Sequence, residues 1–332
     1  MAGFLNEIEP LKQTALAELK AAQQSFGVFL CIGGTFWLSM QPTAAQNQEL
    51  LIANNGPSNG SILRYSATGV LLGNFTVTEF ARHPGGMAFD SDGNLYVTIS
   101  GGTSAIYRYS SSGANLDVFA TTALSTPLGL AFDSGGRLIV CNYGDGSINA
   151  YSPSGDLLWH VSTGVVNPAA IALDHSDNIY ISNSNQGPGF GVFRFSPSGG
   201  QKTLFATGAD LDARGLAFDS VGNLYVANQY DNTVRRFAPN GTPLGSFANT
   251  GLNLPFALAF DESGELFVSN QRGGGIRRFS PEGVDLGNFA LVATMPANPV
   301  GLAFFPVPEP MPFPILMLGV GIIRLLPNRR HQ

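Results

Sequence analysis

The sequence predicts an all-β protein, a six-bladed β-propeller of four-stranded antiparallel blades, and three observations carry the prediction. One pattern returns, as GGMAFDSDGNLYVTIS, LGLAFDSGGRLIVCNY, AAIALDHSDNIYISNS, RGLAFDSVGNLYVANQ, FALAFDESGELFVSNQ and a truncated VGLAFF. The residues ending its first strand, Asp90, Asp133, Asp174, Asp219, Asp261 and Phe305, are 43, 41, 45, 42 and 44 residues apart, a spacing typical of propeller blades. Composition agrees: 41 Gly and 21 Pro in 332 residues, 44% hydrophobic and 12% charged, make a chain too apolar for disorder and too interrupted for long helices.

One unit, residues 214–248, shows how each element arises. GLAFD reads as a short strand with Leu216 and Phe218 on one side and Ala217 on the other. In the turn DSVGN, Asp219 can accept backbone N–H bonds and Gly222 can supply positive φ. Leu224, Tyr225 and Val226 form a second strand, apolar on both faces as befits a sheet between two others, and Asn228 closes it. TVRRF is the third strand, APNG a turn with proline where φ near −65° is wanted, and residues 244–247 the fourth strand.

The truncated copy explains closure. Residues 300–304 supply a first strand alone, whereas residues 49–75, ELLIANNGPSNGSILRYSATGVLLGNF, supply a second, third and fourth strand with no first. Joined, they complete a sixth blade from both ends of the domain and remove an exposed sheet edge. The pattern, carried by PLGLAFDSGGRLIV and the RFSPxG turns at Arg194 and Arg278, resembles NHL-type repeats and, more loosely, gluconolactonase/regucalcin propellers. The resemblance covers roughly residues 47–305 and speaks for the fold; such an architecture hosts many unrelated activities.

The two ends read as addresses. Residues 26–40, FGVFLCIGGTFWLSM, have the length of a signal-peptide core, and Thr43 and Ala45 are the small residues a cleavage after Ala45 requires. Glu7, Glu9 and Glu18 make the preceding region acidic and long, so a start at Leu19, leaving Lys20 before the apolar run, is expected. Residues 1–45 are thus assigned to export, 46–306 to the propeller and 307–332 to a second signal. The latter has Pro308-Glu309-Pro310, then MPFPILMLGVGII, then Arg324, Arg329 and Arg330, an apolar stretch with positive charge left inside. That order resembles the PEP-CTERM sorting signal. The resemblance implies an exosortase-type protease as partner, membrane contact through this segment alone, and delivery to the cell surface or an exopolysaccharide matrix. Pro312, Pro314 and an uninterrupted apolar run of only 11 residues depart from the pattern.

Two rings of side chains are legible around the axis. The first, expected just before the innermost strands, is Gly85, Leu128, Ala169, Arg214, Phe256 and Val300. In the gluconolactonase-like family this station carries Asn and Asp metal ligands; here no side chain offers an oxygen, and a calcium site needs about 6 to 8. No metal and no cofactor are therefore expected. Arg214 can anchor an anion or simply be a solvated rim arginine. The second ring, Asn54, Ile99, Asn142, Asn183, Asn228 and Asn270, follows the second strands. Its amides can face sugar hydroxyls or form turns onto their own backbone. His83 at the mouth is a further ligand candidate, while His160 and His175 fall elsewhere in their blades. Asp90-Ser91-Asp92-Gly93 lacks the later ligands of a calcium loop. Cys141 occupies a site of small residues and reads as core.

Residues 46–310 carry 20 acidic and 12 basic groups, a net −8, with Lys202 the only lysine. Such a surface does not suit nucleic acid or anionic lipid. The expectation is an exported monomer, a non-catalytic binding or scaffold module for carbohydrate or a surface protein. A lactonase-like hydrolase or lyase on the same fold is the rival.

Overall fold

A computed structural model describes residues 30–32, 35–37, 48–55, 60–76, 83–184, 191–207, 210–273, 275–291 and 298–305. Among them, six four-stranded antiparallel sheets follow one another around an axis, and the chain forms a six-bladed β-propeller. The fourth blade is representative: Ala213–Phe218, Leu224–Asn228, Thr233–Phe237 and Pro243–Ala248, paired in that order. Its second strand is buried along its whole length, which is why the LYVAN-type segments lack polar alternation.

The turns are built as the repeat implies. Asp219 Oδ1 accepts the N–H groups of Val221 and Asn223 at 3.1 and 2.8 Å, and Asn223 Nδ2 donates to Oδ2 at 2.8 Å. Asp90 and Asp174 make the same three bonds. The carboxylate of the Asp90 turn is thus engaged in closing its own hairpin.

Blades interlock through aromatic side chains. Tyr225 meets Phe247 of its own blade at 4.8 Å and Phe260 of the next at 4.9 Å, both edge-on. Tyr96, Tyr180 and Phe267 repeat this three-ring contact at their seams. Each such pair adds about 0.5–1.5 kcal/mol beyond area burial. Farther out, the turn before the fourth strand presses on the preceding blade. A Cβ on Gly113 would stand 1.9 Å from the Phe75 carbonyl oxygen, so only glycine fits that approach.

The composite blade closes the wheel. Pro299–Phe305 pairs with Glu49–Asn54, Phe305 opposite Glu49, and the sheet continues through Ser61–Tyr65 and Leu71–Thr76. Leu50, Leu51 and Ile52 are fully buried in it. Phe305, which replaces the turn aspartate, packs its ring 5.0 Å from that of Phe89. Gln48 Oε1 accepts the Glu262 N–H at 2.9 Å, tying the start of the wheel to the fifth blade.

Leu30–Ile32 and Thr35–Trp37, inside the apolar run, pair as a separate two-stranded sheet. The proposed cleavage site at Ala45 and the sorting residues Pro308, Glu309, Pro310, Arg324, Arg329 and Arg330 lie outside the described residues.

Candidate functional site

The six innermost strands begin at one face with His83, Pro127, Pro168, Ala213, Pro255 and Pro299. The loops leaving the second and fourth strands surround them there, forming the mouth of the axial channel. The first ring lies inside these strands, where the sequence placed it just upstream. Register shifts in all six, between Pro84 and Met87 for instance, bulge the strand at this level, and a bulge re-aims side chains.

The bulge explains the hydroxyl residues Thr98, Ser182 and Ser269 at one station of the second strands. It frees a backbone N–H that would be buried, and a second-strand hydroxyl accepts it: Thr98 from Gly86 at 2.9 Å, Ser182 from Ala170 and Ser269 from Ala257, both at 2.8 Å. Cys141 stands at the same station, fully buried, its Sγ 3.7 Å from the Pro168 carbonyl. Burial pushes its thiol up to about 12.

A further ring escaped the sequence reading: Gly86, Gly129, Ala170, Gly215, Ala257 and Gly301. These positions are small because neighbouring innermost strands nearly touch. A Cβ on Gly215 would come 2.1 Å from the Phe256 carbonyl oxygen. The signal was present as a Gly or Ala in every copy of the repeat.

The channel encloses about 130 Å³ and is lined by all six members of the first ring. Among the described residues Arg214 is the single charged one in its wall, against Leu128, Ala169, Phe256 and Val300. Its side chain is 21% exposed, and its Nε lies 3.3 Å from Asp212 Oδ1. The pair is close without hydrogen-bond alignment: among the described residues both atoms are buried and neither has a hydrogen-bond partner.

The asparagine ring lies beneath the mouth rather than on it, Asn54, Asn142, Asn183, Asn228 and Asn270 all being buried. Asn228 Oδ1 accepts the Asp212 N–H at 2.8 Å while its Nδ2 donates to the Asp210 carbonyl and to Asp231 Oδ1, each at 2.7 Å. Asn142 holds Ser125 N–H and the Ala123 carbonyl, and Asn270 holds Asn253 N–H and the Gly251 carbonyl. These three amides tie the loop entering each blade to its second strand. Among the described residues, Oδ1 of Asn54 and of Asn183 is buried without a hydrogen-bond partner.

The residues following that ring, Asn55, Ser100, Tyr143, Ser184, Gln229 and Gln271, are polar in every blade. Ser100 and Ser184 are buried and donate to the His83 and Asn167 carbonyls. Asn55, Tyr143, Gln229 and Gln271 are half-buried. Gln229 Nε2 donates to Gln271 Oε1 at 3.0 Å, bridging two blades, and Tyr230 beside it is 50% exposed. His83 is exposed and shares a hydrogen bond between its Nδ1 and Asn55 Oδ1. Arg214 and His83 therefore belong to one mouth. His160, bonded to Asn149 Oδ1 at 2.7 Å, lies on a fourth strand, and His175 lies in a turn at the opposite face. Among the described residues no three His, Cys, Asp or Glu side chains gather as a metal-binding group.

The fold recurs in solved structures of varied activity. A nidogen/laminin complex contains a chain that matches at 20% identity over 78% of this chain and 98% of its own, with TM-score 0.65. Virginiamycin B lyase from Staphylococcus aureus matches at 16% identity, covering 77% and 94%, with TM-score 0.58. A putative gluconolactonase matches at 19% identity, covering 66% and 80%, with TM-score 0.54. No family model matches the chain, and no curated protein matches it. At such identities the likeness is one of fold.

Proposed function

We propose that this protein is a non-catalytic binding module, exported and held at the cell surface or in the extracellular matrix, whose mouth takes a carbohydrate. The observation carrying the reading is the rim: Asn55, Gln229, Gln271 and Tyr143 line it with amide and phenol groups, beside the exposed Tyr230 ring and His83. Amides offer both donors and acceptors to sugar hydroxyls, and an aromatic face with a polar tip suits a surface that is part apolar and part wet. A protein ligand on the same face is the other form of this reading. The export and sorting steps rest on residues 26–45 and 307–332, with an exosortase-type protease as the processing partner.

The wall of the channel favours binding over hydrolysis, because Gly85, Leu128, Ala169, Phe256 and Val300 offer neither metal-ligating oxygen nor acid–base groups. The full chain is to be tested on a glycan array, by metal analysis, and against a panel of lactones and esters. Glycan retention that Tyr230→Ala and Gln271→Ala weaken, without turnover, is expected. Turnover that depends on a divalent ion and is abolished by a change at the mouth would overturn the reading in favour of a lactonase-like enzyme.

A further inference from the structure

We infer that Arg214 makes the mouth selective for glycans bearing an oxyanion, a uronic-acid carboxylate above all, by drawing that group into the throat of the channel. The inference rests on the reading of the mouth as a carbohydrate site and names the class of sugar.

Arg214 stands alone. The first ring otherwise consists of Gly85, Leu128, Ala169, Phe256 and Val300, so one guanidinium faces a cavity of about 130 Å³ with no other charged group in its wall among the described residues. A charge with low-dielectric walls acts more strongly than one on an open surface, because the field is focused and solvent screening is reduced. The chain as a whole carries a net charge of −6, and Arg272 is exposed in the loop that carries Gln271, so Arg214 is the cation of the throat and Arg272 one of the rim.

The local geometry leaves the guanidinium available. Asp212 Oδ1 sits 3.3 Å from Nε, without hydrogen-bond alignment, and among the described residues no hydrogen bond reaches that Nε. Asp212 is itself fixed: its N–H is held by Asn228 Oδ1 at 2.8 Å, and its carbonyl accepts the Gln229 N–H at 3.1 Å. The carboxylate therefore steadies the base of the guanidinium and leaves the two-nitrogen fork unmatched. A planar carboxylate meets that fork with two parallel bonds. A sulfate ester offers the same charge with tetrahedral oxygens, so the two sources share a chemistry that ligand choice can separate.

The test measures binding of three oligosaccharides of equal length to the full chain by calorimetry: an oligogalacturonate, its carboxyl-reduced neutral form and a sulfated galactan fragment. Wild type is expected to prefer the uronate over the reduced form by tenfold or more, with the preference shrinking as salt is raised. Arg214→Gln is expected to erase the preference while leaving the reduced form bound as before. Asp212→Asn, which removes the competing carboxylate, is expected to increase it at least threefold. A sulfated fragment bound as tightly as the uronate supports the inference and adds the ester as a second source. Equal binding of uronate and reduced forms by wild type overturns the inference while the carbohydrate reading stands, as does a preference that survives Arg214→Gln. If none of the three binds, the carbohydrate reading falls and the inference with it.

Discussion

Replacing Asn228 with alanine separates the two roles open to the buried asparagine ring. The side chain is fully buried and serves an N–H and a carbonyl of the loop entering its blade, Asp212 N and Asp210 O. Truncation leaves both without their partner. A buried polar group that loses its hydrogen bond costs about 1–3 kcal/mol. With partial refilling by water, the two together give about 3 kcal/mol. For a domain of this size that is a fall of about 6–12 °C in Tm. Urea unfolding followed by tryptophan fluorescence, with the slope unchanged, gives the free energy directly. Asn55→Ala is the control, since Asn55 is half-buried on the rim, and its loss is expected to stay within about 0.5 kcal/mol. An Asn228→Ala protein as stable as wild type but blind to glycans would refute the assignment of this amide to the loop.

Further outcomes follow from the seams, the turns and the closure. Gly113→Ala, which sets a methyl 1.9 Å from the Phe75 carbonyl, should lower the thermal midpoint more than Gly245→Ala, where φ is also positive but nothing lies within 4 Å. The second change meets left-handed strain alone, about 1–2 kcal/mol, and overpacking adds about 1–3 kcal/mol to the first; equal midpoints would contradict the seam contact. Deleting residues 299–332 removes the inner strand over Leu50, Leu51 and Ile52 and should yield aggregated protein, read by size-exclusion chromatography. Cys141, with its thiol near 12, should resist iodoacetamide at pH 8 in the native state and react once urea unfolds the wheel.

Acid should also loosen the fold. Hydrogen bonds from Ser134 hold Asp177 below the usual carboxylate range, and those from Arg277 do the same for Asp285. A lowered folded-state value means stability fully present above the unfolded value of about 3.9 and lost as pH falls through the folded ones. Urea midpoints should therefore be level at neutral pH and decline below about pH 4. Asp177→Asn should make that decline shallower.

What the sequence disclosed was whatever repeats. The Asp-to-Asp spacing located the first hairpin of five blades, and the lone VGLAFF copy located the closure, because a propeller asks the same of each blade at the same station. The candidate site was harder to read. Arg214 and His83 could be placed at the mouth, yet the bulge that carries the first ring into the channel leaves no mark in composition. The asparagines were visible as a ring but not as buried groups, since only coordinates reveal that Ser125, Asp212 and Asn253 supply their donors. The rim itself went unnoticed because Asn55, Tyr143, Gln229 and Gln271 share polarity rather than identity.

The pairing of Phe305 with Glu49 has a consequence for how the molecule is made. The ribosome makes one half of that clasp, residues 49–54, before the five other blades and the other half, residues 299–305, after them. For the whole interval, Leu51 and Ile52 lack the neighbour that will cover them. A newborn chain is therefore an unfinished circle until residues 299–305 have been made, and only then can its six sheets close on one another.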